Sequence, residues 1–356
     1  MKVYEQQKIE NMRGEVVFRQ KLAKQHVEGE TVLPSYCGKE QAENILRDRV
    51  QETLKDISAL KVKGLALSPF VELGAERCQR SLVMTNDFGA DGFAVDISFH
   101  QLKTAGHYAE LFNKPRMPHR VCCDANHLPF RSASIPFVFC YEFLHHFPSV
   151  APVVRGIHEI LSAGNFFFAE EPFKRPRLRL YEQKRKLHSP EGDKRSSVVR
   201  FLEGFFSEEG CDEVEHGVIE NGDISMHEWV DALSVFDSRE VTLSSLGKRI
   251  QTRLGSRPGL RNLPNAMFGG GIRGICRKES RQATPKLDNI LDLLTCPECA
   301  FRPSGGSTRL EPSLRREQSR LRCEACDRAF PIIDGIMVIF PKNILEQLYP
   351  EFCAAA

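Results

Sequence analysis

Between residues 69 and 172 the chain alternates short, wholly apolar runs with amphipathic stretches. The runs PFVEL (69–73), GFAVD (92–96), RVCCD (120–124), IPFVFCYEF (135–143) and NFFFAEE (165–171) have the length and the branched or aromatic content of buried strands. The stretch APVVRGIHEILSAG (151–164) puts Val153, Val154, Ile157, Ile160 and Leu161 on one helical face, and Gly164 reads as its C-cap. Apolar strands joined by crossover helices predict a parallel sheet covered on both faces, a doubly wound Rossmann-like α/β fold. Upstream, EQAENILRDRVQETLKDIS (40–58) carries Ile45, Leu46, Val50, Leu54 and Ile57 at helical spacing, so residues 1–60 are expected to form a helical cap. Downstream, HEWVDALSVF (227–236) reads as a helix. REVTLSSL (239–246) and GIRGICRK (271–278) read as a terminal antiparallel pair, which makes the sheet mixed.

Two stretches interrupt the rhythm. After the fifth strand, 173–200 is rich in Lys and Arg while 203–220 is acidic, and this insertion (173–225) is expected to be a solvated lid. Residues 279–288 have linker composition. The expected organisation is therefore a cap at 1–60, a main domain at 61–280 and a small C-terminal module at 287–345. At 356 residues the chain is long enough for this, and its net charge of +2 advertises neither nucleic acid nor an anionic membrane. No run approaches the roughly 18 apolar residues of a membrane span, and the start MKVYEQQKIE lacks a signal-peptide core, so a cytoplasmic location is expected. Nothing in the pattern sets an oligomeric state.

Candidate chemistry collects at the strand ends. Glu72, Asp96 and Asp124 each fall where an apolar run stops, at the edge where such sheets bind ligands. Asp96 follows Gly74 by 22 residues, close to the roughly 20-residue interval at which an acid meets a ribose hydroxyl. Any one of the three reads equally well as a helix cap; the set in register points to a nucleoside. Tyr141, Glu142, His145 and His146 follow the fourth strand, and Glu170 and Glu171 follow the fifth. A His there suits proton transfer near neutral pH, although a structural role is as good a reading for each. His227 reads as a surface residue.

VELGAERC (71–78), AVDIS (94–98), CDANHLPF (123–130), FLHHF (143–147) and ILSAGNFFFAEEP (160–172) resemble the successive motifs of class I S-adenosylmethionine-dependent methyltransferases, particularly the small-molecule and quinone-methylating branch, over about 60–280. The resemblance implies S-adenosyl-L-methionine as cofactor. It makes Asp96, with Ile97 beside it, the ribose ligand and Asp124, with Ala125, the adenine site. Glu72 goes to the methionine end, Gly74 to the tight turn beside the cofactor, and Ala75, Glu76 and Tyr141 to the surrounding wall. For catalysis it points to His145 or His146 as base, with Glu171 nearby. The family would have glycine at 74, 76 and 78, and only Gly74 is kept; Glu76 and Cys78 would narrow the pocket or shift the methionine tail. The implied activity is methyl transfer to a small acceptor such as a sugar, lipid precursor or secondary metabolite. RNA or protein methylation, and a catalytically inactive scaffold, stay open as alternatives.

Four of the twelve cysteines form CxxC–x23–CxxC: Cys296, Cys299, Cys323 and Cys326. Two knuckles of two thiolates supply the closed tetrahedral shell of a structural zinc. The flanks LDNILDLLTCPEC (287–299) and CEACDRAFPIIDGIMVIFP (323–341) resemble the small zinc-ribbon proteins that bind and activate methyltransferases as a separate subunit through strand pairing. Arg309, Arg315, Arg316, Arg320 and Arg322, between the knuckles, read as an exposed hairpin rather than an RNA contact.

Overall fold

The computed structural model describes residues 2–33, 36–173, 181–185, 207–211, 217–219, 221, 224–245, 248–255, 257, 259–279, 289–301 and 311–355. For 2–7, 181–185, 207–211, 266, 268 and 354–355 this covers the backbone alone. Most of the expected lid at 173–225 and nearly all of the linker at 279–288, together with Arg309, lie outside the described residues.

Two helices, α1 (Lys2–Ala23) and α2 (Lys39–Val62), precede the sheet. The alternating core follows as β1 (Phe70–Leu73), α3 (Gln79–Asp87), β2 (Gly92–Asp96), α4 (Phe99–Lys103), α5 (Ala105–Leu111), β3 (His119–Cys122), β4 (Ile135–Tyr141), α6 (Val150–Ile160) and β5 (Leu161–Phe173). Then come β6 (Tyr181–Arg185) and β7 (Ser207–Cys211), which pair with each other apart from the main sheet, and the helix Met226–Leu233. β8 (Ser238–Ser245), β9 (Ile250–Arg253) and β10 (Gly270–Lys278) complete the first part of the chain. The C-terminal part holds β11 (Leu314–Glu317), β12 (Arg320–Cys323), β13 (Ala329–Ile333), β14 (Ile336–Val338) and the helix Lys342–Leu348.

One sheet runs through both parts in the order β11-β12-β13-β14-β3-β2-β1-β4-β5-β10-β8-β9. β3, β2, β1, β4 and β5 are parallel, and the order reverses between β1 and β4, which opens a ligand crevice at their carboxyl ends. β10 lies antiparallel between β5 and β8, as the terminal pair predicts. The strands are apolar throughout because both faces are covered. Phe137, Phe139 and Tyr141 pack toward Ile57 and Leu60 of α2 and Met84 of α3. Val138 and Cys140 turn the other way, into the core that contains Val153, Val154 and Ile157 of α6.

Gly164 differs from its expected role. The helix ends at Ile160 and the strand starts at Leu161, so Gly164 lies inside β5, where a Cβ would come within 2.2 Å of the Pro136 carbonyl oxygen. Close strand approach, not helix capping, requires the glycine.

The cysteine-bearing module continues the sheet. β14 adds to β3 in parallel, with Ile336 opposite Arg120, Met337 opposite Val121 and Val338 opposite Cys122. Asp334 and Gly335, at φ 51° and 73°, close the β13–β14 hairpin with the two left-handed residues of a type I′ turn. Leu293, Leu294, Leu321, Phe330 and Met337 share one apolar core with Val121 and Phe130. No described helix is long and apolar enough to cross a membrane.

Candidate cofactor and acceptor site

The turn after β1 keeps a glycine-type backbone without the glycines. Gly74, Glu76 and Cys78 have φ of 67°, 45° and 61°, so all three positions are left-handed. For Glu76 and Cys78 that conformation costs about 1–2 kcal/mol each, offset by what the turn binds. Glu76 N–H donates to Asp96 Oδ2 at 2.8 Å and Ala75 N–H to the Val95 carbonyl at 2.9 Å, fastening the turn to the end of β2. Gly74 admits no side chain, since a Cβ would come within 2.5 Å of the Phe143 ring. The Glu76 carboxylate receives Arg19 of α1 at 3.2 Å and Arg49 of α2 at 2.9 Å, and these guanidiniums hold its pKa far below the usual carboxylate range against the cost of burial. Arg49 also reaches Glu142 at 2.6 Å.

Above this turn lies a cavity of about 610 Å³, inside the range of roughly 300–1,000 Å³ typical of small-molecule sites. Gly74, Glu76, Asp96, Ile97, Asp124 and Ala125 line one side, and Tyr141, His145 and His146 also border it. Asp96 Oδ1 accepts from Ser98 N–H at 2.7 Å, and burial raises its pKa to about 6. Asp124 is nearly enclosed at 2% exposure and caps the short turn Ala125–His127. Burial opposes its ionisation, but His127 Nδ1 at 2.6 Å, Lys8 at 3.7 Å and the Asn126 N–H win, taking its pKa to about 2.

The structure does not bring Glu72, Ala75 or Glu171 to the cavity wall. Ala75 is fully buried. Glu72 sits one residue inside β1, accepts the Ser81 hydroxyl of α3, and is pushed by burial to a pKa of about 8. Glu171, with no exposed surface, accepts the N–H groups of Phe143 (2.8 Å), Leu144 (3.0 Å) and His145 (3.2 Å). It also faces His145 Nδ1 at 2.9 Å, and these donors hold its pKa below the ordinary value despite burial. Glu171 thus builds the turn that presents His145. His146 Nδ1 lies 3.0 Å from the Ile219 carbonyl, which accepts its proton. His227 is exposed beside Asp231. The sequence reading passed over the cations on the wall: Arg19, Arg49, Arg77 and Arg80. Arg49 lies within the helical stretch 40–58, whose apolar periodicity carries no signal for its charged positions.

The four cysteine sulfurs lie within 4.8 Å of one another, with Cys296 to Cys326 at 3.7 Å and Cys299 to Cys323 at 3.9 Å. A tetrahedral shell with Zn–S near 2.3 Å has sulfur–sulfur edges of about 3.8 Å, so the donors fit a zinc ion in both type and spacing. The expected exposed hairpin is β11–β12, where Arg315 and Arg322 pair with Glu317 at 2.8 and 3.0 Å.

Residues 71–169 match the family model described as a methyltransferase domain, and residues 288–335 match the Trm112p-like protein family. No curated protein sequence matches the chain. Among solved structures, a complex of the Haloferax volcanii Trm112 methyltransferase activator with a candidate methyltransferase is 15% identical, covers 67% of this chain and 95% of that one, and has a TM-score of 0.39. A methyltransferase from Thermotoga maritima is 12% identical over 73% of this chain and 100% of its own, with a TM-score of 0.40. A Bacillus halodurans protein is 15% identical over 63% and 98%, at 0.38. With the Rossmann-like sheet and the cysteine cluster in place, the matches show a methyltransferase domain at residues 71–169 joined in one chain to a Trm112p-like zinc-ribbon domain at residues 288–335.

Proposed function

We propose that the enzyme transfers a methyl group from S-adenosylmethionine to a small-molecule acceptor held in the cavity above Gly74. The observation that carries this reading is the facing arrangement of Gly74, Asp96 and Asp124 and of His145 around one cavity. When bound, the cofactor supplies a methyl group already activated on a sulfonium, so alignment and exclusion of water are the protein's main tasks. Asp96 is suited to accept from the ribose hydroxyls. Asp124 keeps the adenine end in place chiefly through the turn it caps. An acceptor hydroxyl or amine must lose a proton as its oxygen or nitrogen gains the methyl group. His145 is the base: Glu171 fixes the proton on Nδ1, which leaves Nε2 to take the acceptor's proton. The helices α1 and α2 contribute Arg19 and Arg49 to the wall, which supports a small, enclosed acceptor over a nucleic acid. Cys296, Cys299, Cys323 and Cys326 would hold a zinc with no open coordination position, so its task is structural.

Calorimetry with S-adenosylmethionine and S-adenosylhomocysteine on zinc-loaded protein tests the cofactor, and tritiated methyl transfer into small-metabolite extracts against total RNA tests the acceptor. Binding with label entering small metabolites is expected. Label in RNA alone would overturn the acceptor class, and no binding of either compound would overturn the cofactor.

A further inference from the structure

Arg80 is a buried cation with no hydrogen-bonded anion among the described residues. It stands in the first turn of α3, is 3% exposed and borders the cavity. Its guanidinium carbon lies 4.1 Å over the Tyr141 ring. Among the described residues it forms no hydrogen bond or ion pair, and its Nε is enclosed without an acceptor. The other cavity cations are engaged. Arg19 and Arg49 hold Glu76, Arg77 donates to His26 Nδ1 at 2.6 Å, and Lys8 lies beside Asp124. The nearby acids act on Arg80 only through space: Glu72 accepts from Ser81, Glu76 is held by Arg19 and Arg49, and Glu52 attracts Arg80 without a hydrogen bond, while Asp56 binds Arg273 at 2.7 Å and the Tyr141 hydroxyl. A ring-stacked guanidinium presents its N–H edge in a fixed plane, the geometry that carboxylates accept in bidentate fashion. An enclosed guanidinium without a hydrogen-bonded acceptor is costly, and it marks a place where a ligand supplies the missing partner.

We propose that Arg80 receives a carboxylate group of the ligand bound in this cavity. Resting on the methyl-transfer reading, the carboxylate comes from the amino-acid tail of the cofactor or from an acidic acceptor. Calorimetry on the full-length, zinc-loaded protein separates these. If the cofactor is the source, the wild type binds S-adenosylmethionine at least about tenfold more tightly than decarboxylated S-adenosylmethionine. Arg80→Gln then weakens the first on the order of tenfold to a hundredfold and leaves the second unchanged, and Arg80→Lys keeps part of the discrimination. If the acceptor is the source, the two cofactors bind alike, while benzoate binds the S-adenosylhomocysteine-saturated wild type and not Arg80→Gln. Equal affinity for both cofactors together with no Arg80-dependent benzoate binding overturns the proposal. Should Arg80→Gln not fold, the wild-type comparison of the two cofactors, and benzoate binding to wild type against Arg80→Lys, still decide it. A wild type that binds neither cofactor removes the methyl-transfer reading alone, and the benzoate titration of unliganded protein then decides Arg80.

Discussion

Asp96 serves two backbones with one carboxylate, holding Glu76 N–H on one oxygen and Ser98 N–H on the other. Replacing it with Ala therefore unties the strained turn as well as removing the proposed ribose acceptor. Asp96→Ala is expected to weaken S-adenosylhomocysteine binding on the order of tenfold to a hundredfold, read by calorimetry; an unchanged affinity would remove Asp96 from the ligand set. The strand-end acids also set a pH dependence. Glu72 and Asp96 have folded pKa values of about 8 and about 6, raised by burial above the ordinary carboxylate range. The folded state therefore holds protons that the unfolded chain releases near its ordinary values of 3.8 and 4.5, so their contribution to stability is full only below that range and falls as pH rises from there, until about 6 for Asp96 and about 8 for Glu72. Glu72→Gln should flatten the fall in melting temperature between pH 6 and 8, and a slope equal to wild type would refute the assignment. The apolar runs located all three acids in the sequence, but not where each points. Glu72 lies inside β1 and is held in the layer between sheet and α3, whereas Asp96 ends its strand and Asp124 lies beyond one. A shift of one residue along a strand decides between core and crevice.

At the scale of elements, the short turn after β4 is shaped from the neighbouring strand, β5. Glu171 on β5 gathers three successive N–H groups and the His145 ring, so the histidine pair seen in FLHHF is held by an acid 26 residues away from His145. Glu171→Gln retains one accepting oxygen and turns an NH2 toward donors. It should cost about 1–3 kcal/mol in denaturant unfolding and remove the Nδ1–H signature of His145 in its nitrogen NMR spectrum. Retention of that signature would mean that another group sets the tautomer. His145→Ala, by the proposed role, lowers methyl transfer about 10²–10⁴-fold with little change in cofactor affinity. Periodicity made most helices and strands legible, down to the antiparallel β8 and β10. It could not reveal that Gly164 belongs to a strand, because the reason is the Pro136 carbonyl on a neighbouring strand rather than anything in LSAG itself. The non-glycine turn was equally hidden. Glu76 and Cys78 look like a broken motif, yet the backbone remains left-handed at both, stabilised by Arg19, Arg49 and Asp96.

At the scale of the molecule, the C-terminal part of the chain holds both loops proposed to carry the ligand-binding acids Asp96 and Asp124. Thr295 N–H donates to the Pro129 carbonyl at 2.9 Å, Arg131 reaches the Asp292 carbonyl at 2.8 Å, and the Phe301 ring packs edge-on to His127, the partner of Asp124. Beyond the ribbon strands, the fully buried Tyr349 donates its hydroxyl to the Ile97 carbonyl at 2.7 Å and accepts from Phe99 N–H at 2.9 Å, clamping the loop that follows Asp96. The helix before it braces α1, where Arg13 reaches the Gln347 carbonyl at 3.2 Å. Since β14 also completes the β3 edge, the two family domains form one cooperative body rather than a catalytic part with an appendage. Zinc removal, or Cys296→Ser, should therefore lower the melting temperature in a single transition and weaken S-adenosylhomocysteine binding with it. Two separate transitions, with the affinity intact, would show that the ribbon folds for itself alone. Tyr349→Phe distinguishes a specific clamp from general support. It leaves the zinc and the ribbon core in place but deprives Ile97 of a donor and Phe99 of an acceptor, a cost of about 1–3 kcal/mol. The expected result is one zinc per chain by metal analysis with a reduced S-adenosylhomocysteine affinity. Wild-type affinity in that variant would mean that the loop after Asp96 is held by β2 and Ser98 without help from the C-terminal segment.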